Sequence, residues 1–199
     1  DFVKDRKGVW GWYPATKVYT TYNPLTLVPA RTIEESIGAI EALIDSFAHF
    51  VEERGGWRLL WNDDSSEKPE DAVQLLFRGI AEHYCRANNI VLDREVNLGR
   101  GPVDFKFSTG YAFQALIEVK KLHNGKFWDG LEKQLPSYLK SDRCTNGWFV
   151  AIQYRTNGQS SARRKELPDR IDALKKAHPT LAIYYSVVDA QPKLSASNI

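Results

Sequence analysis

The sequence predicts an α/β domain, a β-sheet with helices on its faces. Three observations carry this expectation. Beyond residue 69 a helical pattern leads into three short strand-like runs, after which helices and strands alternate to the C-terminal region. The strand-like runs, such as GWFVAIQY and LAIYYSVV, are dense in β-branched and aromatic residues. The chain has 199 residues, 43% of them hydrophobic, which is enough to bury one full core.

Residues 1–30 set Trp10, Trp12, Tyr13, Tyr19 and Tyr22 among proline and glycine, a pattern of irregular structure and short strands. Those aromatics suit either a core or a surface on which bases stack. A helix follows, opened by Thr32 and Glu35 as a capping box, carried by Ile37, Ile40, Ile44, Phe47 and Val51, and stopped by Gly55 and Gly56. Together these parts read as a helical N-terminal appendage, a lid or a docking surface. The polar stretch NDDSSEKPE ends it, so that residues 1–68 form the appendage and 69–199 the main domain.

A second helix spans about Glu70 to Asn88. Its buried stripe is Val73, Leu76, Phe77, Ile80 and Tyr84, with Glu70 and Gln74 along one margin and Glu82 nearly opposite, facing solvent. Strands IVLDREVNL, GPVDFKF and ALIEVKKL make a meander. A helix over Lys126 to Lys140 then places Phe127, Leu131 and Leu135 inward, Gln134 and Tyr138 one turn apart beside them, and Lys126, Lys133 and Lys140 on the solvated side. Pro136 removes a backbone hydrogen bond there and predicts a kink. After strand GWFVAIQY, the segment QSSARRK puts Arg163, Arg164 and Lys165 in a loop ahead of a helix over Glu166 to Ala177, and LAIYYSVV is the last strand.

A net charge of +2 and a pI near 8.5 confine any nucleic-acid surface to a local patch. Cys85 and Cys144 have neither metal-ligand nor disulfide spacing, which favours a reducing cytoplasm, and four scattered histidines argue against zinc. No apolar run of membrane-spanning length and no signal-peptide pattern occurs, so a soluble protein without a membrane partner is expected. A chain that begins at Asp1 and contains no methionine reads as part of a longer or processed protein.

Two strands carry carboxylates where a core strand would hold valine or leucine: Asp104 in PVDFKF and Glu118 in ALIEVKK. A buried carboxylate is costly unless it is paired, protonated or bound to a metal. Alternation puts Glu118 and Lys120 on one face of their strand and Ile117 and Val119 on the other. Paired through the turn STGYAF, the two strands bring Asp104 beside Glu118, an oxygen set that suits Mg²⁺ or Mn²⁺. A simple surface ion pair between Glu118 and Lys120 is the alternative reading.

With PVD at 102–104, EVK at 118–120 and QLPSY supplying Gln134 and Tyr138 as a Gln-x-x-x-Tyr feature, the sequence resembles the PD-(D/E)XK nuclease superfamily over about residues 70–190. Val103, between the proline and the aspartate, is a minor departure. The resemblance implies a restriction-endonuclease-like fold, a mixed β-sheet core flanked by helices. It also implies that Asp104, Glu118 and the carbonyl of Val119 hold Mg²⁺ or Mn²⁺, that Lys120 acts on the attacking hydroxide, and that Gln134 and Tyr138 position substrate. Many members add a glutamate from the first helix. Glu70 is the candidate here, its other reading being a residue favoured by the helix dipole; Glu95 is weaker, and pairing with Arg94 or Arg100 also explains it.

The implied activity is metal-dependent hydrolysis of phosphodiester bonds in nucleic acid, DNA before RNA and endonucleolytic, with defence against foreign DNA preferred over repair as the role. Lys121, Lys126, Tyr138, Arg163, Arg164 and Lys165 make the expected nucleic-acid surface. A second copy of the chain, or other domains of a longer protein, are the further partners expected. The alternative is a catalytically inactive domain of the same fold that binds nucleic acid or docks a partner.

Overall fold

The capping box forms as the sequence predicts: Glu35 N–H donates to Thr32 Oγ1 at 3.1 Å and Thr32 N–H to Glu35 Oε2 at 2.8 Å. It opens helix α1, Ile33–Glu53, in a computed structural model that describes residues 32–97 and 102–193, the side chains of 95–97 excepted. The chain divides into two units, and the described residues all belong to the second, Arg31–Ile199. Trp10, Trp12, Tyr13, Tyr19, Tyr22, Arg100 and the side chain of Glu95 lie outside the described residues.

Gly55, at φ 79°, takes the left-handed backbone that ends α1, and a 3₁₀ turn, Gly56–Leu60, follows. Helix α2 spans Glu70–Ala87. The strands are β1 (Val91–Asn97), β2 (Pro102–Ser108), β3 (Gln114–Lys121), β4 (Asn146–Gln153) and β5 (Ala182–Asp189), in spatial order β1-β2-β3-β4-β5. The first three form an antiparallel meander, whereas β3, β4 and β5 run parallel, so the sheet is mixed.

Parallel neighbours need crossovers. Between β3 and β4 lie a short helical turn α3 (Phe127–Asp129), a π-helical turn (Gly130–Gln134) and α4 (Leu135–Ser141); between β4 and β5 lies α5 (Gly158–Ala177). On one face of the sheet α1 and α2 pack on Phe105, Phe107, Ile117 and Val150, and on the other the crossover helices pack on Leu116, Phe149, Ala151 and Ile183. Covered on both sides, β4 is buried along its whole length. No described helix is long and apolar enough to cross a membrane.

Three expectations need correction. The helix assigned to an appendage is part of the core, because its apolar stripe finds partners there: Phe47 meets Phe77 edge-on at 5.1 Å, and Glu52 Oε1 accepts the Asp189 N–H at 2.8 Å. The helix expected over 126–140 is not a single α-helix, and Pro136 causes no kink within one; it sits in the first turn of α4, where a proline is tolerated. Arg163, Arg164 and Lys165 lie inside α5 rather than ahead of it. Asn157 caps that helix, its Oδ1 accepting the Ser160 N–H at 2.7 Å, but the exposed first two turns bury little beyond Ser160 and so show no apolar period.

Phe77 is fully buried, its ring 4.9 Å from Phe105 and 5.1 Å from Phe47. Phe77→Ala is expected to cost about 3–5 kcal/mol, and Leu75→Ala, half-exposed on the same helix, less than about 1 kcal/mol. Urea denaturation of both variants checks this; equal losses would contradict the assigned phase of α2.

Candidate active site

The register between β2 and β3 runs from Phe105↔Ile117 to Ser108↔Gln114. One further step would set Asp104 opposite Glu118, but the ladder stops at Phe105↔Ile117. A buried N–H needs an acceptor, and the Asp104 side chain supplies it: Oδ2 accepts from Val119 N–H at 2.7 Å, while Oδ1 accepts from Gln74 Nε2 at 2.8 Å. Both carboxylate oxygens are therefore oriented, one by β3 and one by α2.

Glu118, only 2% exposed, places Oε1 2.9 Å from Lys120 Nζ. Its Oε2 is buried and has no hydrogen-bond partner. The same Lys120 Nζ lies 3.1 Å from Glu70 Oε1. Glu70 Oε2 accepts from Lys121 N–H at 3.0 Å and from Asn124 Nδ2 at 3.1 Å. Glu82, by contrast, is 57% exposed and pairs along its own helix with Arg78 and Arg86. The helical phase thus separates the two glutamates as the sequence predicts.

The crossover closes over the lysine. A Cβ on Gly130 would stand 3.1 Å from Lys120 Cγ and 3.2 Å from Cε, so glycine in the π-helical turn is what lets the lysine stem lie flat beneath it. Gln134, which ends that turn, has a buried Oε1 without a partner. Tyr138 is almost fully buried, and its hydroxyl is shifted upward first by burial and then by the charge of Glu118, which puts it within electrostatic reach of the site.

Burial dominates the electrostatics. It pushes Asp104 up to about 6, against the pull of Lys120 and the Val119 N–H. It pushes Glu118 up to about 8, with the neighbouring Asp104 carboxylate adding to the rise and Lys120 opposing it. For Lys120 burial disfavours the ammonium, yet Glu118, Asp104 and Glu70 outweigh it and hold the group charged. Glu118 and Glu70 both pair with the one Lys120 ammonium, and Asp104 lies within its field.

The orphaned Glu118 Oε2 beside Asp104 is the observation on which a cation can be judged: buried, acceptor-only oxygens under mutual repulsion fit a hard divalent ion. No group of three or more His, Cys, Asp or Glu side chains arranged for a metal occurs among the described residues. The donors would be two carboxylates and the Val119 carbonyl, a set that leaves room for water and phosphate.

The expected nucleic-acid surface divides. Lys126 and Lys165 are exposed, and Arg164 is exposed while reaching Gln153 Oε1. Lys121 turns to the face opposite Lys120, as strand alternation requires, and packs its Nζ 4.5 Å over the Tyr154 ring. Arg163 donates to the carbonyls of Leu122 at 2.6 Å and Asn124 at 2.7 Å and lies over Phe127. These two cations hold loops in place instead of facing a ligand. Gln74 and Asn124 carry roles that the sequence reading did not assign; for Gln74 the signal was present, one turn after Glu70 on the same margin.

Glu118 yields a test by pH. Its folded pKa lies above its unfolded value, so the folded protein binds the extra proton, and the associated stability is present at low pH and lost as pH rises through about 8. Without divalent ions, Glu118→Gln is expected to gain on the parent protein from pH 5 to 8, by several degrees in Tm. A difference that stays constant across that range would contradict burial as the cause.

No curated protein and no solved structure matches the chain. A family model described as a domain of unknown function, DUF8371, matches residues 36–156. That stretch is more than half of the chain and contains Glu70, Asp104, Glu118 and Lys120, and the chain belongs to the DUF8371 domain family.

Proposed function

We propose that this protein is a metal-dependent nuclease that hydrolyses phosphodiester bonds in nucleic acid, DNA before RNA, with Mg²⁺ or Mn²⁺ held by Asp104, Glu118 and the Val119 carbonyl. The observation that carries the reading is the buried, unpartnered Glu118 Oε2 beside Asp104 and Lys120, where the β2–β3 ladder ends. An antiparallel meander continued by parallel strands, with a crossover helix closing over the site, supports a restriction-endonuclease-like arrangement.

A bound ion would lower the pKa of a water and neutralise charge on the scissile phosphate. The chain's own groups divide the remaining work. Gln74 and the Val119 N–H fix the direction of the Asp104 carboxylate. Lys120, kept protonated by its carboxylates, offers a fixed positive charge to the attacking hydroxide and the developing phosphorane. Glu70 holds that ammonium in place. Gln134, whose buried Oε1 has no partner, borders the site; Tyr138, expected on the nucleic-acid surface, is instead buried in the core beneath it and supports the site without touching substrate; Lys126, Arg164 and Lys165 offer phosphate contacts further out. Two buried free cysteines support a reducing cytoplasm as the place of action. Defence against foreign DNA is the role we attach to the activity, on the sequence resemblance alone.

Incubation with circular single-stranded DNA, circular duplex DNA and RNA, with and without Mg²⁺ or Mn²⁺, tests the reading. Metal-dependent cutting of circular DNA is expected. Asp104→Asn should lose metal affinity and cleavage together while keeping its fold; Lys120→Ala should lose most turnover yet still bind metal. Glu70→Gln should reduce turnover by about tenfold to a thousandfold, with Glu82→Gln nearly silent. Unchanged cleavage by Asp104→Asn would sink the assignment, and binding without cutting would mark the inactive alternative.

A further inference from the structure

A second charged cluster lies where the chain enters α2. Residues 61–67 form a small hairpin: Trp61 and Glu67 pair, Asn62 N–H donates to the Ser66 carbonyl at 2.8 Å, and Lys68 N–H donates to the Leu60 carbonyl at 3.0 Å. The Trp61 indole ties it to the Ala190 carbonyl at 2.8 Å. Asp64 satisfies the turn itself through the Ser66 N–H and hydroxyl. Glu67 takes no part in that local satisfaction. Its side chain is 9% exposed, and it meets Lys121 Nζ at 3.4 Å, His123 Nε2 at 2.9 Å and Arg155 Nε at 2.8 Å. Lys121 ends β3, and His123 and Arg155 lie just past the carboxyl ends of the neighbouring strands β3 and β4. Lys121 Nζ also donates to the carbonyl of Lys68.

We propose that Glu67 is a positioning residue that sets Glu70 on Lys120. Glu70 follows Glu67 by three positions, a span of at most about 10 Å even if extended, so clamping one leaves the other little freedom. The clamp closes on residues 121–124, the same stretch whose Lys121 N–H and Asn124 amide are held by Glu70. Without the Glu67 carboxylate, Lys121 and Arg155 face each other with no counter-charge between them, and the entry to α2 lifts. Glu70 then releases the Lys121 N–H, and Lys120 is left to Glu118 alone. For turnover this inference rests on the nuclease reading; for geometry it does not.

Amide hydrogen exchange, followed by NMR in the protein without added metal, separates the two. Glu67→Gln is expected to speed exchange at Lys121 by about tenfold or more, as Glu70→Gln does, while the Val119 amide on Asp104 stays within about twofold. Glu67→Asp should recover part of the protection. Arg155→Gln, at a half-exposed side chain, is the milder second variant and should move Lys121 in the same direction. Unchanged exchange at Lys121 in Glu67→Gln would overturn the proposal, and so would an equal rise at Lys121 and Val119, the mark of a general loss of stability. On DNA, Glu67→Gln should lower kcat by about tenfold with KM and metal affinity within about twofold. Should the unsubstituted protein cut nothing, the nuclease reading alone would fall, and the exchange result would still decide the role of Glu67.

Discussion

Lys120 stands between Glu118 and Glu70, and the arrangement of the site depends on that one ammonium. A carboxylate as deeply buried as Glu118 is tolerated only against positive charge or a proton. Lys120 belongs to the side of β3 that faces the crossover helices, whereas α2, which brings Glu70, is packed on the other side of the sheet. They meet beyond the point where the β2–β3 ladder ends. The break in the ladder is therefore what admits a helix from one layer to a charge in another.

Two features keep this arrangement from collapsing into an ordinary ion pair. Asp104 is oriented by a backbone N–H and an amide, not by Lys120 alone, so its carboxylate stays directed as the charge around it changes. Gly130, where an added Cβ would stand 3.1 Å from Lys120 Cγ, leaves the room in which the lysine stem lies. The cost is visible in the raised pKa values of Asp104 and Glu118, which burial lifts against the pull of Lys120. Acidic residues Glu70 and Asp71 in the first turn of α2 lie where the helix dipole favours them.

The surface ion pair that the EVK spacing also allowed is set aside by burial: the Lys120 side chain is 12% exposed and that of Glu118 3%. The dipole reading of Glu70 proves compatible with its place at the site, since the residue serves the helix end and reaches Lys120 at once. Local chemistry was sound in the first two helices, though not at the start of α5, whose Asn157 cap is equally local. The capping box at Thr32, the stop at Gly55 and the phase that turns Glu70 inward and Glu82 outward all follow from positions within a single helix.

The sequence by itself determined the periodic quantities: which residues share a strand face, which line a helix stripe, and hence that Glu118 and Lys120 stand together. It also sufficed for the order of strands and helices and the mixed α/β class. Only the tertiary structure decided what depends on contacts between distant elements. The packing of α1 into the core, the hydrogen bond from Gln74 to Asp104 and the Glu67 cluster are of this kind. The reason is physical. Periodicity is written in neighbouring residues, whereas the partner of a buried charge is chosen by the layers that enclose it, and Glu67 and Arg155, 88 positions apart, have no signal of their own until the sheet brings them together.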